Sequence, residues 1–275
     1  MDPVDASSIQ TALSTRVFGR RLVYLSSTRS TNDVAKDVAA QGVPEGTVVL
    51  AEEQSAGRGR LGRRWLAPTG TCILCSILFR PHLPPTQAQR LTMLCSLAAA
   101  DAIAQVAGLH VSIKWPNDLV VKSPISNLQS PPWKKLAGVL TETGLTGERL
   151  DFAVVGIGIN VNVQPEVLPS LAPDATSILA EAGWPVDRVA LLVALLGGIE
   201  QRYGALQAGV SPHREWAARL ATLGEPVNVT TSEGVLKGVA ESVEEDGALL
   251  LRTPSGALRR LLAGDVTLAR RSDEV

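Results

Sequence analysis

Four short segments carry residues whose types and spacing suit chemistry on anions. The first is Gly57-Arg58-Gly59-Arg60-Leu61-Gly62-Arg63-Arg64-Trp65, which places four arginines in the seven positions 58–64 among three glycines. Glycine lets a backbone approach a ligand closely, and the guanidinium fork matches carboxylate or phosphate. Such a loop is expected to be mobile until an anion relieves the repulsion among its arginines. The second segment, Lys114-Trp115-Pro116-Asn117-Asp118, delivers a cation, an amide and a carboxylate to one turn, a set suited to phosphate plus magnesium. The third, Lys134-Lys135-Leu136-Ala137-Gly138, follows its lysines with small residues that leave room for a ligand. The fourth, Gly156-Ile157-Gly158-Ile159-Asn160-Val161-Asn162, puts two glycines in an apolar strand, which points to close backbone approach, with Asn160 and Asn162 on one face. Read singly, these segments also fit a solvated basic loop, a surface turn and an ordinary strand-edge lysine.

Other chemistries find less support. Gly57–Gly62 matches G-x-G-x-x-G, but Pro68 discourages the amphipathic helix that a dinucleotide-binding turn requires, and no acidic residue sits about 20 residues on. Cys72 and Cys75 are three apart in an apolar strand, so they face opposite ways, and no second pair completes a zinc site. His82, His110 and His213 lie far from one another and from the four segments.

The elements that must position these residues are legible in the hydrophobic pattern. Residues 1–15 read as a loose terminus, and Val17–Tyr24 as a first strand. Ser30, with Asp33 three residues later, opens a helix whose Val34, Ala35, Val38 and Ala39 share a face. Val48–Glu52 and Cys72–Phe79 read as buried strands, and a helix from about Thr86 to Ala107 stops at Gly108. Val111–Trp115, Leu136–Thr143 and Phe152–Val163 are further strands, with a Pro-rich hairpin extension at 123–132. Helices follow from Asp187 to about Leu206 and over Pro212–Ala221. Beyond residue 223, five short strands separated by turns such as Asp246-Gly247 read as a small β-barrel. The expected division is a loose N-terminus (1–15), a catalytic domain (16–223) and a barrel domain (224–275).

The composition bounds the reading. The chain has 275 residues, and its 26 Lys and Arg against 27 Asp and Glu leave a net charge of −1, unlike a protein built to coat nucleic acid. The longest wholly apolar run, Val189–Ile199, has 11 residues where a membrane span needs about 20. Three cysteines make no disulfide framework, and residues 1–15 carry no Lys or Arg of a secretory signal. A cytoplasmic protein with no membrane contact is expected.

Taken as an ordered set, Ser30-Thr31-Asn32, Gly57–Trp65, Lys114–Leu119, Lys135–Gly138 and Gly156–Asn162 resemble the motifs of the biotin protein ligases, over about Arg16 to Arg270. The resemblance implies an α+β fold: a mixed sheet flanked by helices, related to class II aminoacyl-tRNA synthetases and lipoate ligases, plus a Src-homology-3-like barrel. It implies ATP and biotin as substrates, magnesium, a biotinyl-5'-AMP intermediate, and a biotin carboxyl carrier domain of acetyl-CoA carboxylase as partner. Because 29 residues precede Ser30, a monofunctional type without direct DNA binding is expected, and a homodimer through exposed edge strands is possible. By resemblance, Ser30, Thr31, Asn32 and Gln54 hold the biotin ureido end, and Gly57, Arg58, Gly59 and Arg60 close over the adenylate. Lys135 contacts the biotin carboxylate or α-phosphate, and Gly138, Gly156 and Gly158 floor the biotin pocket. Trp65, Asn160 and Arg63 serve the nucleotide, while Lys114, Asn117 and Asp118 serve phosphates and magnesium, with Asp118 also a candidate to steer the incoming amine. Two rivals remain: a lipoate–protein ligase, and a nucleic-acid-binding or adaptor protein.

Overall fold

A computed structural model describes residues 4, 6–122 and 133–269; the Pro-rich stretch expected at 123–132 lies outside them. A seven-stranded mixed sheet forms the frame. Its strands are β1 (Leu22–Leu25), β2 (Val48–Ala51), β3 (Cys72–Phe79), β4 (Ser112–Lys114), β5 (Asp118–Lys122), β6 (Trp133–Thr146) and β7 (Arg149–Asn160), in the spatial order β1-β2-β3-β7-β6-β5-β4. Only β1 and β2 run parallel; the other pairs are antiparallel. The helices are α1 (Ala6–Ala12), α2 (Thr31–Ala40), α3 (Gln89–Ala107), α4 (Leu168–Leu171), α5 (Ile178–Ala182), α6 (Arg188–Gln207) and α7 (His213–Ala218).

Alternation along β3 decides which helices cover which face. Ile73, Cys75, Ile77 and Phe79 join the main core with Leu91, Leu94 and Ala98 of α3 and Leu191, Leu195 and Ile199 of α6. Cys72 and Leu74 face the other way, with Val163 and Leu168, and Leu78 meets Ala35 and Ala39 of α2. The two cysteines thus point apart as the spacing implies. Helices α3 and α6 are long and apolar enough to cross a membrane by length and composition, but here they pack on the sheet as core helices. Asp187 caps α6 through hydrogen bonds to the Val189 and Ala190 amides, and Gly108 ends α3 in the left-handed conformation.

The second unit is a five-stranded antiparallel sheet, β8 (Pro226–Thr231), β9 (Gly234–Val243), β10 (Leu249–Arg252), β11 (Leu258–Leu261) and β12 (Asp265–Leu268), in the order β11-β10-β9-β8-β12. It is the expected Src-homology-3-like module. Its core of Val227, Val229, Leu249, Leu251 and Val266 is continuous with Met93 and Leu97 of α3, with Trp216 of α7, and with Trp115. The Trp115 indole donates to Gly247 O at 2.8 Å and its amide to Thr222 Oγ1 at 2.9 Å, fixing the barrel beside the Lys114–Asp118 turn.

Two sequence expectations need correction. The N-terminus is docked among the described residues: Ile9 is fully buried in the main core, and the Val4 amide donates to Glu52 at 2.8 Å. Val17 and Phe18 are not strand, because the Arg16, Val17 and Phe18 amides all donate to the Glu200 carboxylate of α6. The short helices α4 and α5 lie between β7 and α6, a stretch for which the hydrophobic pattern predicts no element. The Glu52–Arg188 ion pair that anchors this end, at 2.7 Å, is almost solvent-free. Glu52→Gln is expected to lower unfolding free energy by about 3–5 kcal/mol, since it strands a buried guanidinium. Denaturant unfolding should show a lower midpoint at unchanged slope; an unmoved midpoint would refute the assignment.

Candidate functional site

The four chemistry-bearing segments meet in one cavity of about 280 Å³, close to the small-molecule range of ~300–1,000 Å³. It lies on the α2 face of the large sheet. The register explains the floor. Gly156 of β7 stands between Ser76 and Leu140, and Gly158 between Leu74 and Gly138. An ideal Cβ on Gly156 would collide with Asn32 Oδ1; one on Gly158 would lie 2.6 Å from Trp65 Cε2, and one on Gly138 would lie 3.2 Å from the same indole. The glycines therefore line the cavity, but Asn32 and Trp65 sit directly above them. That refines the expected role: the missing side chains make room first for two pocket residues. Gly158→Ala is expected to displace Trp65 and weaken ligand binding about 5- to 150-fold, the equivalent of ~1–3 kcal/mol for overpacking. Calorimetric titration reads the change; unaltered affinity would show that the indole position is irrelevant.

The polar wall comes from the start of α2. Gln54 Oε1 accepts from the Thr31 amide at 2.7 Å and from Thr31 Oγ1 at 3.1 Å, so its Nε2 is left to donate elsewhere. Ser30 caps α2 by position, though its hydroxyl makes no capping hydrogen bond. Ser76 Oγ lies 2.7 Å from Thr31 Oγ1 and 2.6 Å from Asn32 Oδ1, and Asn32 Nδ2 donates to Glu142 at 2.7 Å.

The Gly/Arg loop closes on itself: Gly59 N donates to Arg63 O, Trp65 N donates to Gly57 O, and Leu61 and Gly62 turn its tip in the left-handed region. Gly57 lies behind the cavity wall, where a Cβ would meet Trp65 O at 2.6 Å. Arg58 makes a two-pronged ion pair with Asp33, both contacts 2.6 Å, and reaches Glu142 at 3.2 Å. Those two hydrogen bonds hold the Asp33 carboxyl down at about 2. Arg63 pairs with Asp265 of β12 at 2.6 Å, tying loop to barrel. Two of the four arginines are thus neutralised by the protein itself, so their mutual repulsion is weaker than the sequence implies.

Arg60 differs. It is half-buried and lines the cavity, and its guanidinium has no ion pair or hydrogen-bond partner among the described residues. Burial pushes its guanidinium below the ordinary arginine value, with Asp118 and Asp265 opposing, yet arginine stays charged. Lys135 Nζ lies 2.7 Å from Asp118 Oδ1 and 5.6 Å from the Trp65 ring centroid. Lys114 lines the same wall without an ion pair among the described residues. The Trp65 indole N–H is buried with no partner among the described residues, a donor left over at the cavity wall.

Not every expected residue is free for a ligand. Asn117 spends its amide on Val139 O at 2.5 Å, and Asn160 donates to Thr176 O at 2.9 Å, although both still line the cavity. Asn162 points away and locks onto Val186. The sequence reading missed Ser76, Glu142, Asp174 and Asp265. A lone hydroxyl in the apolar run of β3 is the signal that marks Ser76. Glu142 shares the strand face of Gly138. Asp265 is 202 residues from Arg63, so no local pattern announces it.

Known proteins resemble this chain in sequence and fold. Residues 24–160 match the biotin/lipoate A/B protein ligase family, and residues 222–268 match the biotin protein ligase C-terminal domain. The chain is 34% identical over 265 residues to the bifunctional ligase/repressor of Bacillus subtilis, covering 95% of this chain and 78% of that one. It is 32% identical over 276 residues to the biotin–[acetyl-CoA-carboxylase] ligase of Mycobacterium tuberculosis, covering 98% and 97%. Among solved structures, the biotin protein ligase of Aquifex aeolicus in complex with biotin and ATP superposes with a TM-score of 0.73 at 29% identity, over 91% of this chain and 99% of that one. A cavity lined by Arg60 and Lys114 without ion pairs among the described residues, in a chain matched from end to end by ligases of this architecture, means that the chain belongs to the biotin protein ligase family.

Proposed function

We propose that the chain joins biotin to ATP as biotinyl-5'-AMP and passes the acyl group to a lysine of a biotin carboxyl carrier domain, that of acetyl-CoA carboxylase. The observation that carries this reading is Arg60: a half-buried guanidinium, unpaired among the described residues, at a cavity that Lys114 and Lys135 also line. In the first step, a biotin carboxylate oxygen attacks the α-phosphorus and the bond to pyrophosphate breaks. Both reactants are anions, so the site's main task is to hold them together and to balance the charge that develops. Arg60 and Lys135 are placed to flank the carboxylate and α-phosphate, with Lys114 toward the leaving pyrophosphate. Arg58 and Arg63 exchange their carboxylate partners for ligand oxygens or hold the loop while Arg60 does so. The Thr31–Gln54–Asn32 wall, with Ser30, takes the ureido ring, and Trp65 lies between the two halves of the adenylate with Asn160 beyond it.

In the second step, the carrier amine attacks the acyl carbon and AMP leaves. Adenylation supplies the activation, so no nucleophilic side chain is required. An unperturbed lysine has a pKa of about 10.4 and must lose a proton before attack; Asp118 is the carboxylate placed to steer it. Magnesium fits this site as a companion of the nucleotide. Among the described residues no group of three Asp, Glu, His or Cys side chains is placed to hold a metal ion by itself. Magnesium is commonly held by one or two carboxylates plus substrate phosphates, and Asp118, with Oδ1 on Lys135, offers one. When bound, the ion neutralises phosphate charge.

We place the domain boundary after residue 223, with the barrel closing the nucleotide side of the cavity through Gly264, Asp265 and Thr267. We further propose a catalytic, cytoplasmic role without direct DNA contact. Pyrophosphate release with biotin against lipoate tests it: turnover on biotin supports it, turnover on lipoate favours the sister activity. Salt-sensitive DNA binding without either turnover would favour the adaptor reading.

A further inference from the structure

Two polar residues that do not line the cavity grip one that does. Asn32 is 4% exposed at the start of α2. Its Oδ1 lies 2.6 Å from Ser76 Oγ and its Nδ2 lies 2.7 Å from Glu142 Oε2. A carboxylate only accepts hydrogen bonds, so the amide nitrogen must face Glu142 and the carbonyl oxygen must face Ser76. Gly156 leaves the space into which that oxygen projects. The same Glu142 carboxylate accepts from Lys36 at 3.0 Å and from Arg58 at 3.2 Å. Burial pushes the Glu142 carboxyl up, but the hydrogen bonds from Asn32, Lys36 and Arg58 outweigh it and hold it below the ordinary glutamate value. It is therefore a carboxylate, and acceptor-only, at neutral pH.

We infer that Glu142 and Ser76 are positioning residues which lock the Asn32 carboxamide in a single orientation for the ligand's ureido ring, and that Glu142 ties this wall to the Gly/Arg loop through Arg58. The inference rests on the biotin reading and adds how the site fixes polarity. A ureido group offers a carbonyl acceptor flanked by two N–H donors, so a carboxamide free to flip presents the wrong atom part of the time. One carboxylate then serves both the vitamin end of the site and the loop over the phosphate end.

The test is calorimetric titration of the full chain with biotin, with and without ATP. Glu142→Gln keeps the shape but can donate as well as accept, so Asn32 can flip. Biotin affinity, titrated without ATP, is expected to fall about thirtyfold. Asn32→Ala should weaken biotin by a similar factor, and the double variant should lose no more than Asn32→Ala alone, because Glu142 acts through Asn32. Losses that multiply would overturn the inference, as would Glu142→Gln binding biotin like wild type. If Glu142→Gln does not fold, Ser76→Ala tests the other jaw of the clamp, with about a fivefold loss expected and an unchanged affinity contradicting it. A wild-type chain that fails to bind biotin at all overturns the underlying function instead, which separates the two failures.

Discussion

Replacing Arg60 with glycine releases biotinyl-5'-AMP from the protein about 10- to 150-fold faster, while adenylate formation with saturating substrates continues. The magnitude is that of a charge-assisted hydrogen bond, about 1.5–3 kcal/mol. Arg60 is the one to choose because its three loop companions are already occupied: Arg58 by Asp33 and Glu142, Arg63 by Asp265, and Arg64 by Ser55 O. Removing the Arg60 guanidinium breaks no side-chain hydrogen bond or ion pair among the described residues, so the fold should be indifferent and the effect should appear at the ligand. The escaped mixed anhydride acylates any lysine it meets. Labelling of a bystander protein by wild type and Arg60→Gly, with biotin and ATP present, measures the difference. Equal labelling would remove Arg60 from the proposed role.

The second large effect belongs to Lys135. Lys135→Met keeps most of the side-chain volume but removes the ammonium from between Asp118 and the Trp65 ring. Two penalties then act together. The developing charge on the α-phosphate loses a cation, a loss worth about 10²–10³ in rate by analogy with an oxyanion-hole donor. Asp118, a mostly buried carboxylate, is left unpaired facing two anionic substrates. The rate of the first half-reaction is expected to fall about 10³-fold, measured as pyrophosphate release. Lys135→Arg should recover little, because the planar guanidinium does not fit the point-charge position between an indole and a carboxylate. A Lys135→Met rate within a factor of a few of wild type would show that this lysine only balances Asp118.

The contrast between these residues and the rest of the site shows what a sequence can and cannot carry. Strand β3 and helices α3 and α6 are legible because their apolar periodicity is long, and the Asp187 cap and the Gly108 stop have local physical causes. The barrel strands are legible from their turns. The glycines of β7 announce a close approach but not its object, which is the pair Asn32 and Trp65. The N-terminal helix escaped notice because a seven-residue helix gains little from its own propensity; it is held by Ile9 in the core and by Glu52 at its entry. The Arg63–Asp265 and Asn32–Glu142 contacts join residues 202 and 110 apart, and only the sheet order brings them together. Charge pairing also changes the loop's character. Composition alone suggests four repelling cations, whereas the fold supplies a carboxylate for each of two and a backbone oxygen for a third.

The most direct measurement mixes the purified chain with biotin, ATP and magnesium, separates protein from free ligand, and weighs what stays bound by mass spectrometry. The expected result is protein-bound biotinyl-5'-AMP in the wild-type chain and little in Arg60→Gly. No anhydride in the wild type, or equal retention in both, would contradict the claim that this cavity joins two anions and keeps their product.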